Sequence, residues 1–425
     1  MRLLKSLDDF SDFTKDELIE EGSTKNMTEI RSNNGLETQY AGEWPQTVLD
    51  QTDNKFRLGY TKTDSKIRTV GLSLSDLQKS LAIFGNEGYG KYSVLDNVMY
   101  QWEQNNYGMC VIDTKGEISK EFPEMVDDTE EISIVQAGNN NAKGINLFET
   151  YTTDEKERKL IISEFINSIN LNEGAKMKEV SQLLIKHLIQ ADTEYTPFDF
   201  YKFVSSTEKL SKFIDIFSSE LTEKTQKMLE SLTDSELKPL QRRMYSSFGS
   251  KNIQNITSDS EADISISEAV KTGKSIFVDI SNITERRHKE YITALIARQV
   301  WAVTDSGNYE PYSLIFDEIS TVDSDELRLS EILNNSKSVG LSVIMTAQQP
   351  YQMIEETWSA IKNNSNVITT NISPVKDNAS VLADLLSVET KQISNLLLYQ
   401  FIANTGNTNS QEFKSFAKYP PNLSK

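Results

Sequence analysis

The amino-acid sequence predicts an α/β protein: a largely parallel central sheet with an inserted all-α domain. Three observations predict it. Short apolar runs alternate with stretches of helical period near both ends of the chain. A glycine-rich loop joins one such run to one such helix. Residues 150–245 carry helical periodicity with few strand signals, so the alternation that builds a parallel sheet stops there and resumes later.

In chain order, residues 1–54 read as a polar N-terminal extension, partly disordered, with "RSNNGLETQYAGEWP" as a linker. Residues 55–149 form the first part of the core. Short strands over 55–80 lead to "LAIF", an apolar run ending in the loop "GNEGYGK". A helix follows, with Val94, Val98, Met99 and Trp102 on one face, then buried strands at "YGMCVID" and "ISIVQAG". Residues 150–245 are the all-α insertion, and 246–425 the second part of the core. The latter carries strands at "SIFVDI", "YSLIFDE", "LSVIMTAQQ", "NVITTNI" and "YQFIAN", and an amphipathic helix at "RRHKEYITALIARQVWAVTDS". Aromatic residues of the insertion, Phe198, Phe200, Tyr201 and Phe203, read as core rather than as base-stacking platforms.

Composition narrows the function classes. With 44 basic and 63 acidic side chains the net charge is -19, which argues against a surface coated for DNA but leaves room for a local basic channel. Two histidines and one cysteine are too few for a Cys/His zinc site, and neither histidine sits in a setting that suggests a Ser-His-Asp hydrolase. The single Cys110 excludes an internal disulfide framework and fits a cytoplasmic protein; it reads as buried and inert. No apolar run is long enough to span a membrane, and the acid-rich first residues do not resemble a secretory signal.

The chemistry concentrates in "GNEGYGKYS". Gly85, Gly90 and Lys91 have the spacing of a phosphate-binding loop, G-x-x-x-x-G-K-[ST]. Backbone amides of Gly85, Asn86, Glu87, Gly88, Tyr89 and Gly90 can cradle phosphates at a helix N-terminus, and Lys91 can reach the β- and γ-phosphates. Tyr92 stands where a magnesium-binding hydroxyl is usual. Its hydroxyl lies roughly 4 Å further from the backbone, on a rigid ring. Ser93 comes one place late, roughly 100° around the helix. The site therefore binds ATP with altered Mg²⁺ coordination, through Ser93 or through water and Asp317; the intact Lys91 and Asp317-Glu318 argue against a relic. Downstream, "SLIFDE" ends a strand in two carboxylates: Asp317 suits the metal, and Glu318 suits orienting and polarising the attacking water. "LSVIMTAQQ" places Gln348 at a strand end, where it either senses the γ-phosphate or merely caps the strand.

These motifs in this order resemble the HerA/FtsK superfamily, and within it TraD-like type IV coupling proteins and their archaeal plasmid and virus relatives. "DTKGE" matches the family's D-x-K-G-[DE] strand end through Asp113, Lys115, Gly116 and Glu117, which adds Asp113 to the nucleotide site. The resemblance covers about residues 55–420, and the insertion is matched in character alone. It implies a RecA-like ATPase core, a homo-hexameric ring, and ATP-driven, non-sequence-specific movement of DNA through its pore. It also implies an arginine given to the neighbour's γ-phosphate: Arg242, Arg243 or Arg298. The transmembrane anchor of many coupling proteins is missing, which leaves room for recruitment by a membrane-associated or relaxase-like partner. "RRHKE", 286–290, can line a pore or be a solvated helix face. Two other readings stand beside the motor: a non-hydrolysing nucleotide-binding scaffold, and a protein-export ATPase.

Overall fold

The computed structural model describes residues 30–32, 35–37, 56–63, 66–126, 132–139, 143–150, 154–169, 175–191, 195–258, 264–307, 309–372, 378–404 and 411–414. Its strands, in chain order, are β1 (Ile30–Ser32), β2 (Gly35–Glu37), β3 (Phe56–Thr63), β4 (Lys66–Leu72), β5 (Leu81–Phe84), β6 (Gly108–Asp113), β7 (Ile132–Gln136), β8 (Ser275–Asp279), β9 (Tyr312–Phe316), β10 (Ser342–Ala347), β11 (Asn366–Thr369), β12 (Gln400–Asn404) and β13 (Gln411–Lys414). The chain divides into two compact units, residues 1–106 with 342–425, and residues 107–341.

In the first unit, strands follow the order β4-β3-β13-β12-β11-β5-β10. β5 pairs in parallel with both β10 and β11, and all four of its residues are buried. A strand covered on both faces has no polar side to show, which is why "LAIF" is apolar throughout. The other pairs run antiparallel. β3 and β4 meet Thr63 to Lys66 in a hairpin, a link too short for the crossover that parallel pairing needs. β1 and β2 pair antiparallel at the start of the stretch read as a linker; the other expectations for 1–54 lie outside the described residues. The helix Lys91–Gln104 buries Val94, Leu95, Val98, Met99 and Trp102, with the Trp102 ring 5.3 Å from that of Phe56.

The second unit has the order β9-β6-β8-β7, all parallel. The functional strand ends of β6 and β9 therefore point the same way. Helices Glu155–Ser168, Ala175–Gln190, Pro197–Phe203, Thr207–Ile216, Glu223–Glu230, Asp234–Phe248 and Lys251–Thr257 fill the segment between β7 and β8. One continuous helix, opened by a Thr233/Glu236 capping box, runs through the boundary placed at 245. Phe200 is fully buried there. Phe198, Tyr201 and Phe203 are half-buried in ring contacts, Phe203 lying 5.4 Å from Phe213, so this aromatic group is packing.

Helix Glu155–Ser168 lies along the long helix Arg286–Ser306. Arg298, fully buried on the long helix, stands 2.8 Å from Glu164 Oε2 in an ion pair too bent for a hydrogen bond, and it donates to Glu331 Oε2 at 3.1 Å.

Candidate functional site

β5 delivers the chain to Gly85, whose N–H donates to the Ala347 carbonyl at 3.1 Å. A Cβ at Gly85 would collide with the Thr370 methyl. Gly88 and Gly90 hold φ of +82° and +87°, the left-handed region where a side chain strains the backbone. The helix after Gly90 begins with no side-chain cap and no acid in its first turn. Helices elsewhere in this chain, such as those opened by Asp154 and Ser206, close first-turn amides with a side-chain cap. This N-terminus keeps its partial positive charge uncompensated by side chains, which fits a phosphate. Lys91 occupies the first helical position, 3% exposed, and its Nζ lies 5.5 Å from the centre of the half-buried Tyr92 ring. The Ser93 hydroxyl, expected as a metal ligand, donates to the Gly90 carbonyl at 2.6 Å.

Residues far away in sequence back this loop. The Tyr89 carbonyl accepts from the Thr370 hydroxyl at 3.2 Å and from the Tyr399 N–H at 3.3 Å. Asn86 N–H donates to the Asn371 carbonyl at 2.9 Å, and the Asn371 amide donates to the carbonyls of Ser394 and Leu396. Sequence reasoning missed Thr370, Asn371 and Tyr399; "NVITTNI" and "LLYQFIAN" carry no local mark of a partnership that spans 281 positions between Tyr89 and Thr370. Gln348 and Gln349 lie just past β10, whose Ala347 pairs with Phe84, so the Gln348 position is next to the start of the loop. Gln349 accepts from the Asn378 side chain at 3.0 Å.

In the second unit, β9 ends in the acidic pair. The Asp317 N–H donates to the Ile112 carbonyl at 3.0 Å, and its carboxylate accepts from the Thr114 hydroxyl at 3.3 Å. Asp317 is 1% exposed and Glu318 3%. Glu318 has φ of 49°, a left-handed conformation that costs a non-glycine residue about 1 kcal/mol. Its carboxylate accepts from the Ser320 hydroxyl at 3.1 Å, and its carbonyl from the Thr321 hydroxyl at 2.9 Å. A buried carboxylate oxygen set after an apolar strand suits Mg²⁺, which takes oxygen ligands and keeps waters.

Asp113, expected in nucleotide binding, turns its carboxylate onto the amides of the following turn. Its two oxygens accept from the backbone amides of Lys115 (3.1 Å), Gly116 (2.7 Å) and Ser119 (2.7 Å). The D-x-K-G-E acid thus shapes the turn into the helix Glu117–Glu121.

Of the three arginines, Arg298 is an interior cation already engaged by Glu164 and Glu331, not a group presented to another copy. Arg242 is exposed and Arg243 half-buried. Arg243 donates to the Tyr291 hydroxyl at 3.4 Å, as Arg287 does at 3.1 Å. Burial alone would raise the Tyr291 phenol, but the bonds from Arg287, Ser246, Ser247 and Arg243 outweigh it and hold it below its usual range. In "RRHKE", Arg286 pairs with Glu290 at 2.7 Å and His288 with Glu285 at 3.2 Å, while Lys289 donates to the Thr114 carbonyl at 3.3 Å. Burial pushes the Cys110 thiol up to about 12, as suits an inert packed residue.

Fold and loop together define an α/β P-loop NTPase core of the RecA-like class. No family model matches the chain, and no curated protein does. Solved structures do. The plasmid coupling protein TrwB in complex with ADP and Mg²⁺ superposes with a TM-score of 0.59 at 16% identity, covering 88% of this chain and 93% of TrwB. TrwB in complex with the non-hydrolysable ATP analogue ADPNP gives 0.61 at 15%, covering 89% and 94%. VirB4 of Thermoanaerobacter pseudethanolicus gives 0.59 at 11%, covering 88% and 99%. At these identities the likeness is one of fold. Among the described residues no helix is long and apolar enough to cross a membrane.

Proposed function

We propose that this chain is an ATP-hydrolysing motor of the coupling-protein type that moves DNA. The observation that carries the reading is the loop: two left-handed glycines lead into an uncapped helix whose first residue is Lys91. Lys91 would hold the β- and γ-phosphates. Asp317 would hold Mg²⁺, which neutralises phosphate charge when bound; Ser93, whose hydroxyl donates its proton to the Gly90 carbonyl, keeps lone pairs with which its oxygen would join it. Glu318, strained and buried, would orient the attacking water, and Gln348 would register the γ-phosphate. The likeness in fold to TrwB, solved with ADP and Mg²⁺ and with an ATP analogue, supports ATP and Mg²⁺ as ligands. A homo-hexameric ring with DNA in its pore follows from the same reading. Arg242 or Arg243 would then serve a neighbour's nucleotide, and a membrane-associated or relaxase-like protein would recruit the motor.

Phosphate release with Mg²⁺-ATP, with and without DNA, tests this beside Lys91→Ala and Glu318→Gln. DNA-stimulated release lost in both variants supports the motor; release that ignores DNA points to a protein cargo. Tyr92, in the place of the usual metal-binding hydroxyl, favours one second reading, a scaffold that binds nucleotide without hydrolysing it. Tight ATP binding with no release by a defined oligomer would establish that instead.

A further inference from the structure

We propose that Thr114 is a positioning residue for the Asp317 carboxylate and that Lys289 fixes Thr114 in turn; the inference rests on reading Asp317 as the metal-holding group. Thr114 fills the variable place in the D-x-K-G-E turn, the place to which the motif assigns no chemistry. Its hydroxyl donates to Asp317 Oδ2 at 3.3 Å, across 203 positions of sequence. Both partners are buried, Thr114 at 6% and Asp317 at 1% exposure, so bulk water competes little for this bond.

The segment is held on both sides. Just before it, the Ile112 carbonyl accepts the Asp317 N–H; just after it, the amides of Lys115 and Gly116 are tied to Asp113. The Thr114 carbonyl accepts from Lys289 Nζ at 3.3 Å. Arg286 and His288 of the same basic run pair with acids of their own helical turn, whereas Lys289 reaches across to this strand end. The result is a relay from the start of the long helix, through one threonine, to one oxygen of the carboxylate. A donor on Oδ2 restrains the carboxylate's rotation. Such outer partners set how well a ligand oxygen is aimed, and their loss typically weakens metal affinity by about tenfold or more.

The experiment measures binding of a fluorescent ATP analogue to the full chain across a Mg²⁺ titration and in EDTA. It compares wild type, Asp317→Asn, Thr114→Val, Thr114→Ser and Lys289→Met. Wild type should bind more tightly with Mg²⁺, and Asp317→Asn should lose that gain. Thr114→Val should raise the half-saturating Mg²⁺ concentration about tenfold while its binding in EDTA stays at the wild-type level. Thr114→Ser, which keeps the hydroxyl, should restore the wild-type curve, and Lys289→Met should shift it the same way by less. A wild-type Mg²⁺ curve in Thr114→Val overturns the proposal. So does an equal loss of binding in EDTA, which would mark Thr114 as a general structural residue. If Mg²⁺ fails to help wild type, or still helps Asp317→Asn, the metal role of Asp317 falls first and this inference with it.

Discussion

Tyr399 lies directly against Gly90: a Cβ on the glycine would stand 2.8 Å from the tyrosine Cε1 and closer still to Cδ1. Gly90 also sits at φ +87°, so both the backbone conformation and the space demand glycine at the turn into the helix.

Gly90→Ala should therefore lower affinity for an ATP analogue by well over tenfold. Gly88→Ala, strained at φ +82° but facing open space, should cost about 1 kcal/mol, roughly fivefold. Titration of a fluorescent analogue against both variants checks the order. Equal losses would mean that the Tyr399 contact contributes nothing.

Glu318→Gly should separate stability from activity. Glycine adopts the left-handed conformation freely, so removing about 1 kcal/mol of strain should leave the melting temperature unchanged or raise it by about 2 °C. Phosphate release should vanish, because the group that orients water is gone. A clear fall in melting temperature would show that the Ser320 bond outweighs the strain.

Tyr92→Ser would return a short hydroxyl to the usual metal position. Phosphate release at limiting Mg²⁺ should rise several-fold, and the half-saturating Mg²⁺ concentration should fall. An unchanged metal curve would mean that Asp317 and water already supply the coordination.

Arg298→Met should destabilise the protein by about 3 kcal/mol at neutral pH, because it strands a buried carboxylate. Burial raises Glu164, and Arg298 partly opposes that rise. A carboxyl raised in the folded state keeps its proton there after the unfolded chain has lost its own near 4.5, so its contribution is most favourable at low pH and fades as pH rises. Without Arg298 the rise is larger, so the variant's deficit should be smallest near pH 4 and grow towards pH 8. Denaturation midpoints of both proteins across that range check it; a deficit that does not vary with pH would assign the loss to packing.

Much of the fold could be read directly from the sequence. β5, β6, β9 and β10 are short apolar runs because every one of their residues is buried, and burial of that kind leaves its mark in local composition. The loop was visible for a similar reason, since the left-handed turns at Gly88 and Gly90 favour glycine. The antiparallel pairing of β12 with β11 and β13 was not legible, although "YQFIAN" itself read as a strand. β13 is only four residues long, and its place is set by partners at Ala403 and Tyr60 rather than by its own pattern.

The sequence by itself determined which residues could carry the chemistry: Lys91 after its glycines, and Asp317-Glu318 after an apolar strand. Residue type and spacing along one element decide that much. Only the tertiary structure decided what those residues touch. It turned Asp113 onto its own amides, put Arg298 in the interior between Glu164 and Glu331, and set Thr114 against Asp317 and Tyr399 against Gly90. Apart from the local turn at Asp113, each of these contacts depends on where the chain returns after a long excursion. That return is fixed by strand order and helix packing, which no short window of residues encodes.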